Sequence, residues 1–318
     1  MNAQDRRTGD GPMPEHELLR RIADRSRAIV LPTGGTIEIG PGDDAAVLHT
    51  QSGDRLALTV DQLVEGRHFA PGTPVALVAH KAVCRSVSDL AAMGAAPSWS
   101  MATGLLPSSF DEDDALCAQL AEVAQRYGCP IIGGDLARHD GPMVLTVTCA
   151  GIPHASRGPV LRSEARVGDS VWVTGMLGGS FESGRHLRFE PRLTQANELC
   201  SLTNDRGEHK LGAMLDLSDG LGRDAARIAD ASGVAVEIES ASIPRHAGIT
   251  DWRNAASDGE DYELLFTVRH SATVPGAVNG VAVTRIGEVV ARSSDGHAVT
   301  FIEPDGSRHN GSRLGWDH

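Results

Sequence analysis

Paired cysteines are missing from this chain. Its five cysteines, Cys84, Cys117, Cys129, Cys149 and Cys200, are odd in number and form no C-x-x-C pair. That suggests neither a disulfide framework nor a zinc site. They are expected to be reduced, buried thiols of a cytosolic protein. The thirteen histidines show no H-x-x-x-H or similar ligand spacing. No apolar run approaches the ~20 residues that a helix needs to cross a bilayer. The opening stretch MNAQDRRTGDGPMPEHE has no apolar segment of the signal-peptide kind. A cytoplasmic location with no membrane partner is therefore expected. Positive charge is in deficit, with 29 Lys and Arg against 42 Asp and Glu and a formal net charge of -13. This argues against a nucleic-acid backbone as partner. A small polyanion would have to be met by local basic residues or by metal ions. The common nucleotide signatures are also missing. TGMLGGS (174–180) is not G-x-G-x-x-G, and no G-x-x-x-x-G-K-[ST] occurs, so Rossmann and P-loop readings fail at the motif level. TGMLGGS can still present backbone N–H groups to a phosphate, or be a plain turn.

What is present is an ordinary globular composition, with 41% hydrophobic and 22% charged residues and 36 glycines in 318 residues. That length suits about two domains. Residues 1–13 are expected to be disordered. EHELLRRIADRS then sets Leu18, Leu19 and Ile22 on one face of a short amphipathic helix. AAVLHT (45–50), RLALTV (55–60), SWSMATGLL (98–106) and MVLTVTCAGI (143–152) read as strands, and PIIGGD (130–135) as a short buried strand. Residues 75–95 and 111–128 read as helices that stop at Gly94 and Gly128. PHASRGPVLRSEARVGD (153–169) mixes Pro, Gly and charge between apolar strands, as a boundary would. Beyond it, 211–239 reads strand, Ser-Asp turn, helix, glycine cap, strand, and 262–268 and 281–290 read as strands. The class is α+β, divided as a tail and helix over 1–27, a domain over 28–153 and a second over 154–318.

A set of acids stands apart from the solvated ones by sitting at strand ends and glycine turns. It comprises Asp43 and Asp44 in GPGDDAAVL, Asp61 after LALTV, Asp89 in SVSDL, Asp135 in IIGGD, Asp216 and Asp219 in LDLSDG, and Glu260 and Asp261 in DGEDYELL. Singly, each can serve as a turn or cap residue. Together, carboxylates converging in a fold are tolerable where divalent cations lie among them. Mg²⁺ suits such hard oxygen ligands and commonly bridges them to phosphates. Arg162 in LRSEA can pair with a phosphate or be a surface charge. Lys81 can meet a phosphate or be a solvated helix lysine.

GDDAAVL, TVDQLVEGRHF, HKAVCRSVSDLAAMGAAPSW, IIGGD, LRSEARVGDSVWVTGMLGGS, MLDLSDGLGRDAARIADASG, DGEDYELLFTV and the closing RLGWDH together resemble the thiamine-monophosphate kinases. These belong to a superfamily of ATP-binding proteins that includes aminoimidazole ribonucleotide synthetase. The motifs occur in family order over about residues 38 to 318. The resemblance implies the two-domain aminoimidazole ribonucleotide synthetase-like fold, with an N-terminal domain whose sheet pairs across a homodimer. It also implies ATP and several Mg²⁺ in a cleft, and direct transfer of the γ-phosphoryl group to thiamine monophosphate. By matching position it implies metal ligation by Asp43, Asp44, Thr59, Asp61, Asp89, Asp135, Asp216 and Asp219. Nucleotide contacts would come from Gly134, Asp135, Arg162 and Ser218, and substrate contacts from His68, Glu260 and Trp316. No side chain is implied as a covalent nucleophile. Val60, Leu136 and Ala137 stand where the family carries threonines, Ser86 where it carries asparagine and Asp258 where it carries glycine. No aspartate of the set is lost. The alternatives left open are another ATP-dependent enzyme of the same superfamily and a non-catalytic Mg-ATP sensor.

Overall fold

The structure is a computed structural model and describes residues 18, 21–22, 24–25, 35–270, 272–293 and 296–316. The disorder expected over 1–13 lies outside the described residues, as do Leu19, Asp317 and His318. Leu18 and Ile22 are helical and exposed. No helix among the described residues is long and apolar enough to cross a membrane.

Two sheets organise the chain. The first runs in the order β1-β2-β3-β6-β4-β5, with β1 Thr36–Ile39, β2 Ala46–His49, β3 Arg55–Val64, β4 Ala95–Pro107, β5 Ile131–His139 and β6 Val144–Pro153. Only β4 and β5 pair in parallel; the helix between them, α2 (Asp113–Arg126), provides the crossover such a pair needs. The second sheet is built from β7 Ser170–Thr174, β8 Leu211–Asp216, β9 Ala235–Glu239, β10 Leu264–Val268, β12 Val281–Val290, β13 Val299–Ile302 and β14 Arg308–Asn310, in the order β14-β13-β9-β12-β7-β10-β8, with the short β11 (Ala277–Val278) on β12. β10 and the terminal strand β8 are buried throughout, as strands covered on both faces are.

α1 (Val75–Ala92) is buried on most of its surface because it packs on strands of both sheets, on β3 and β6 on one side and β8 on the other. It ends where Gly94 takes a left-handed φ of 63°, the usual helix stop. Strand alternation gives β3 two characters. Ala57, Thr59 and Leu63 face α1, whereas Val60 points the other way and is 62% exposed. Val60 shares a row with Met101 through Thr148 of β6. With Leu105 and Ile152 these side chains leave the outer face of the first sheet apolar and uncovered.

Two expectations are corrected. PIIGGD is neither short nor buried. It opens β5, a nine-residue edge strand that pairs only with β4 and is mostly exposed. Ile132 lies open on this edge, and Ile131 is only partly buried against the core. The cysteines are free as expected, but Cys117 is exposed on α2. Most strand boundaries follow the apolar runs closely, and residues 281–290 form β12 as read.

Candidate active site

The acids of the sequence converge where the two sheets meet across α1. Asp43 and Asp44 lie in the turn between β1 and β2. Thr59 and Asp61 stand on β3, Asp89 near the end of α1, and Asp216 at the end of β8. Carboxylate oxygens of Asp44, Asp89 and Asp216 all come within 4.8 Å of one another. Around them the protein supplies hydroxyl donors. Thr59 Oγ1 donates to Asp89, and Ser88 Oγ donates to Asp216 Oδ2 at 2.5 Å.

Cations are present at the edge but do not neutralise the centre. Arg162 Nη2 lies 2.5 Å from Asp44 Oδ1, and its backbone N–H donates to both oxygens of Asp43 at 3.2 and 3.3 Å. Arg85 pairs with Asp61 at 3.2 Å. Arg227 pairs with Asp219 and, at 2.6 Å, with Asp224. The consequence is a set of reluctant acids. Burial, followed by Asp61, Asp216 and Asp44, pushes the Asp89 carboxyl well above the ordinary carboxylate range. Burial and then Asp44 push Asp216 up to about 8. Burial and Asp44 raise Asp43 to about 7 against the pull of Arg162. Buried carboxylates that cannot all ionise, converging through hard oxygens, match the donor chemistry of Mg²⁺. These residues therefore fit the metal that the sequence implies.

A second group lies along the same helix. Lys81, Arg85 and Asp89 are spaced by four and share one face of α1. Lys81 is fully buried, and its three protons are all engaged. Nζ donates to His68 O at 2.7 Å and to Glu260, and it lies 2.8 Å from His186 Nδ1. Burial lowers its pKa to about 8, with Glu260 opposing the shift. Lys81 is thus neither solvated nor free to reach a phosphate. His68 Nδ1 accepts the Val64 N–H at 2.9 Å. Glu260 follows Gly259 in a loop where both, and Tyr262, hold left-handed φ values; such strain in non-glycine residues tends to persist at functional sites. Trp316 is anchored by its Nε1 to Asp258 O at 2.6 Å, yet its ring is 47% exposed.

The remaining expected residues fall on the flanks. Ser218 and Asp219 form the turn that leads into the helix Leu221–Ser232, and Asp224 of that helix accepts the Asp219 and Gly220 N–H groups of the turn at 3.0 and 3.1 Å. Gly134 and Asp135 do not join the cluster within this chain. They sit on β5, three places from β3 in the sheet order, and Asp135 is in register with Thr103 on the uncovered face. Both border an apolar cavity of about 480 Å³ beneath α2 that Leu116, Leu120 and Leu145 also line. Of the departures, Val60 points away from the cluster, and Ser86 is buried with its hydroxyl on Val147 O at 2.9 Å. Sequence reasoning missed Ser88, Arg85, Asp224, Arg227 and His186. The four-residue spacing from Lys81 to Asp89 could have exposed Arg85; the others carry no local signal.

This fold and carboxylate centre define a protein of the AIR synthase related class. The family model "AIR synthase related protein, N-terminal domain" matches residues 42–153. Thiamine-monophosphate kinase of Rhodopirellula baltica is 36% identical over 85% of this chain and 88% of its own length. That of Escherichia coli K12 is 34% identical over 96% and 98%. A solved structure described as AaThiL complexed with AMPPCP and TMP superposes with a TM-score of 0.78 at 28% identity, covering 96% of this chain and 97% of that one. The chain belongs to the thiamine-monophosphate kinase family.

Proposed function

We propose that the chain is a Mg²⁺-dependent kinase that transfers the γ-phosphoryl group of ATP to the phosphate of thiamine monophosphate, giving thiamine diphosphate and ADP. A phosphate oxygen of the acceptor forms the new P–O bond as the bond to the departing ADP breaks. The observation that carries this reading is the convergence of Asp44, Asp89 and Asp216, of which, among the described residues, only Asp44 is ion-paired, with Arg162. Asp43, Asp44, Thr59, Asp61, Asp89, Asp216 and Asp219 would hold the metals. Bound Mg²⁺ supplies charge neutralisation that lets two anionic phosphates approach. No side chain here is required as a nucleophile.

The chain's own residues orient the reactants. Arg162 and Ser218 border the carboxylates on the nucleotide side. His68, Glu260 and Trp316 would serve the thiamine moiety, next to Ser218, whose carbonyl accepts the Glu260 N–H at 2.8 Å. Gly134 and Asp135 fit this reading through a homodimer. The exposed apolar face that carries Val60, Met101 and Ile152 is the one through which two copies would pair, and β5 would then present Asp135 to the partner's cleft. A purified protein that sediments as a monomer at micromolar concentration would remove that role for Asp135. The expected domain division, 28–153 and 154–318, places one sheet in each half, and the protein acts in the cytoplasm under this reading.

The direct test is to incubate purified protein with ATP, Mg²⁺ and thiamine monophosphate and to measure thiamine diphosphate and ADP. Equimolar formation of both is expected. Folded protein that binds Mg-ATP and yields no thiamine diphosphate would overturn the proposal.

A further inference from the structure

Asp61 is set apart from the other acids of the cleft. Oxygens of Asp44, Asp89 and Asp216 lie within 4.8 Å of one another, and among the described residues Asp61 does not belong to that group. Its charge is still felt there, since Asp61 comes first after burial in raising Asp89. Asp61 has instead a cation of its own. Arg85 Nη2 lies 3.2 Å from Asp61 Oδ1, and Arg85 Nη1 donates to Gln62 O at 2.8 Å. The planar fork of the guanidinium is thus held by two consecutive residues of β3. The Arg85 and Asp61 side chains are only 14% and 22% exposed, so salt and water screen the pair little.

The placement of Arg85 is costly for a helix residue with no further task. Its Nε is buried and has no hydrogen-bond partner among the described residues. An orphaned donor lowers stability, and an apolar side chain at this place would avoid that loss. Burial also opposes the charge, and Asp61, followed by Tyr262, Glu260 and Asp89, more than offsets it. Arg85 therefore brings a permanent positive charge to β3, one helical turn from Asp89 on the same face of α1. A divalent cation seated on Asp61 alone would meet this fixed charge at short range, and like charges repel strongly where water is scarce.

We propose that Arg85 is the resident counter-cation of Asp61: it stands in for one divalent cation, so that metal binding centres on Asp44, Asp89 and Asp216. Arg85 takes Oδ1 of Asp61 and leaves Oδ2 for a metal. Asp61 then shares a metal with the three-carboxylate group and holds none by itself. The proposal rests on the Mg²⁺ reading above and deepens it, because it lowers the number of cations the cleft needs. Arg85 is a positioning residue that acts through Asp61.

The test counts the Mn²⁺ ions bound per chain, with Mn²⁺ standing in for Mg²⁺ at oxygen ligands. The electron paramagnetic resonance signal of free Mn²⁺ gives the count on the purified full chain. Arg85→Gln removes the charge and keeps a donor for Gln62 O. It should bind about one Mn²⁺ more than the wild type, the cation that Arg85 replaces. Arg85→Lys retains the charge and should return the wild-type count, a rescue that a purely structural role would not produce. Asp61→Asn should also keep the wild-type count, and it decides the matter should Arg85→Gln not fold. An Arg85→Gln protein that folds and binds only as many ions as the wild type would overturn the proposal. So would an Asp61→Asn protein that binds one ion fewer. A wild type that binds no Mn²⁺ would instead overturn the Mg²⁺ reading, and the role of Arg85 with it.

Discussion

Asp89 concentrates the electrostatic problem in a single side chain. It is raised by burial and by three other aspartates, and its stabilising partner is the hydroxyl of Thr59. Such a carboxylate is costly unless a cation or a proton balances it. Asp89→Asn keeps the shape and removes the charge. In a metal-dependent transfer it should lower kcat by about a hundredfold or more, the scale of losing a preorganised electrostatic contact. The apoprotein should melt no lower than wild type, since a repelled charge has been removed. A variant with near-wild-type kcat would take Asp89 out of the metal site. Arg162 shows the same logic in reverse. Its guanidinium spans both oxygens of Asp44, so in this structure its first task is structural.

Among elements, α1 and β5 decide most. α1 carries Lys81, Arg85 and Asp89 on one face because four residues pass a full turn of about 3.6 residues by only a little. It thereby joins the Lys81–Glu260 group to the carboxylate cluster on a helix buried between the sheets. β5 has the opposite character, an edge strand held by β4 alone. Gly134 permits that pairing. A Cβ there would stand 1.9 Å from Ala102 O, closer than any real contact. Gly134→Ala should therefore cost about 2 kcal/mol by overpacking and loosen β5 before the rest. Hydrogen exchange should show faster exchange across 131–139 with α1 unaffected. Unchanged protection of β5 would mean that the strand shifts to accommodate the methyl group at little cost.

For the whole molecule, pH and magnesium are linked. Asp216, pushed to about 8, and Asp43, pushed to about 7, hold protons in the metal-free fold that an unfolded chain releases near its ordinary carboxylate pKa. Between about pH 4 and pH 8 the folded state binds more protons, so these groups make stability fall as pH rises through that window. Mg²⁺ selects the ionised form. Melting in EDTA and in millimolar Mg²⁺ should show a stabilisation by Mg²⁺ that grows from about pH 5 to about pH 8. A Mg²⁺ effect that is flat or shrinks over that range would contradict the carboxylate centre as the metal site.

Much of this was legible in the residues themselves. Runs such as VAVTRIGEVV alternate or stay apolar over lengths that only a strand satisfies, and Gly94 and Gly128 end helices for backbone reasons local to them. The acids at strand ends announced a centre because their placement was costly without one. The sequence order could not show that PIIGGD faces solvent, since an edge and a core strand are written with the same apolar letters and differ only in what covers them. Nor could it show Ser88 on Asp216, Arg227 between Asp219 and Asp224, or Lys81 buried against Glu260 and His186. The Lys81–Glu260 and Lys81–His186 contacts join residues more than a hundred positions apart. What chemistry to expect was written along the chain; which atoms neutralise, orient and repel one another was decided only when α1 settled between the two sheets.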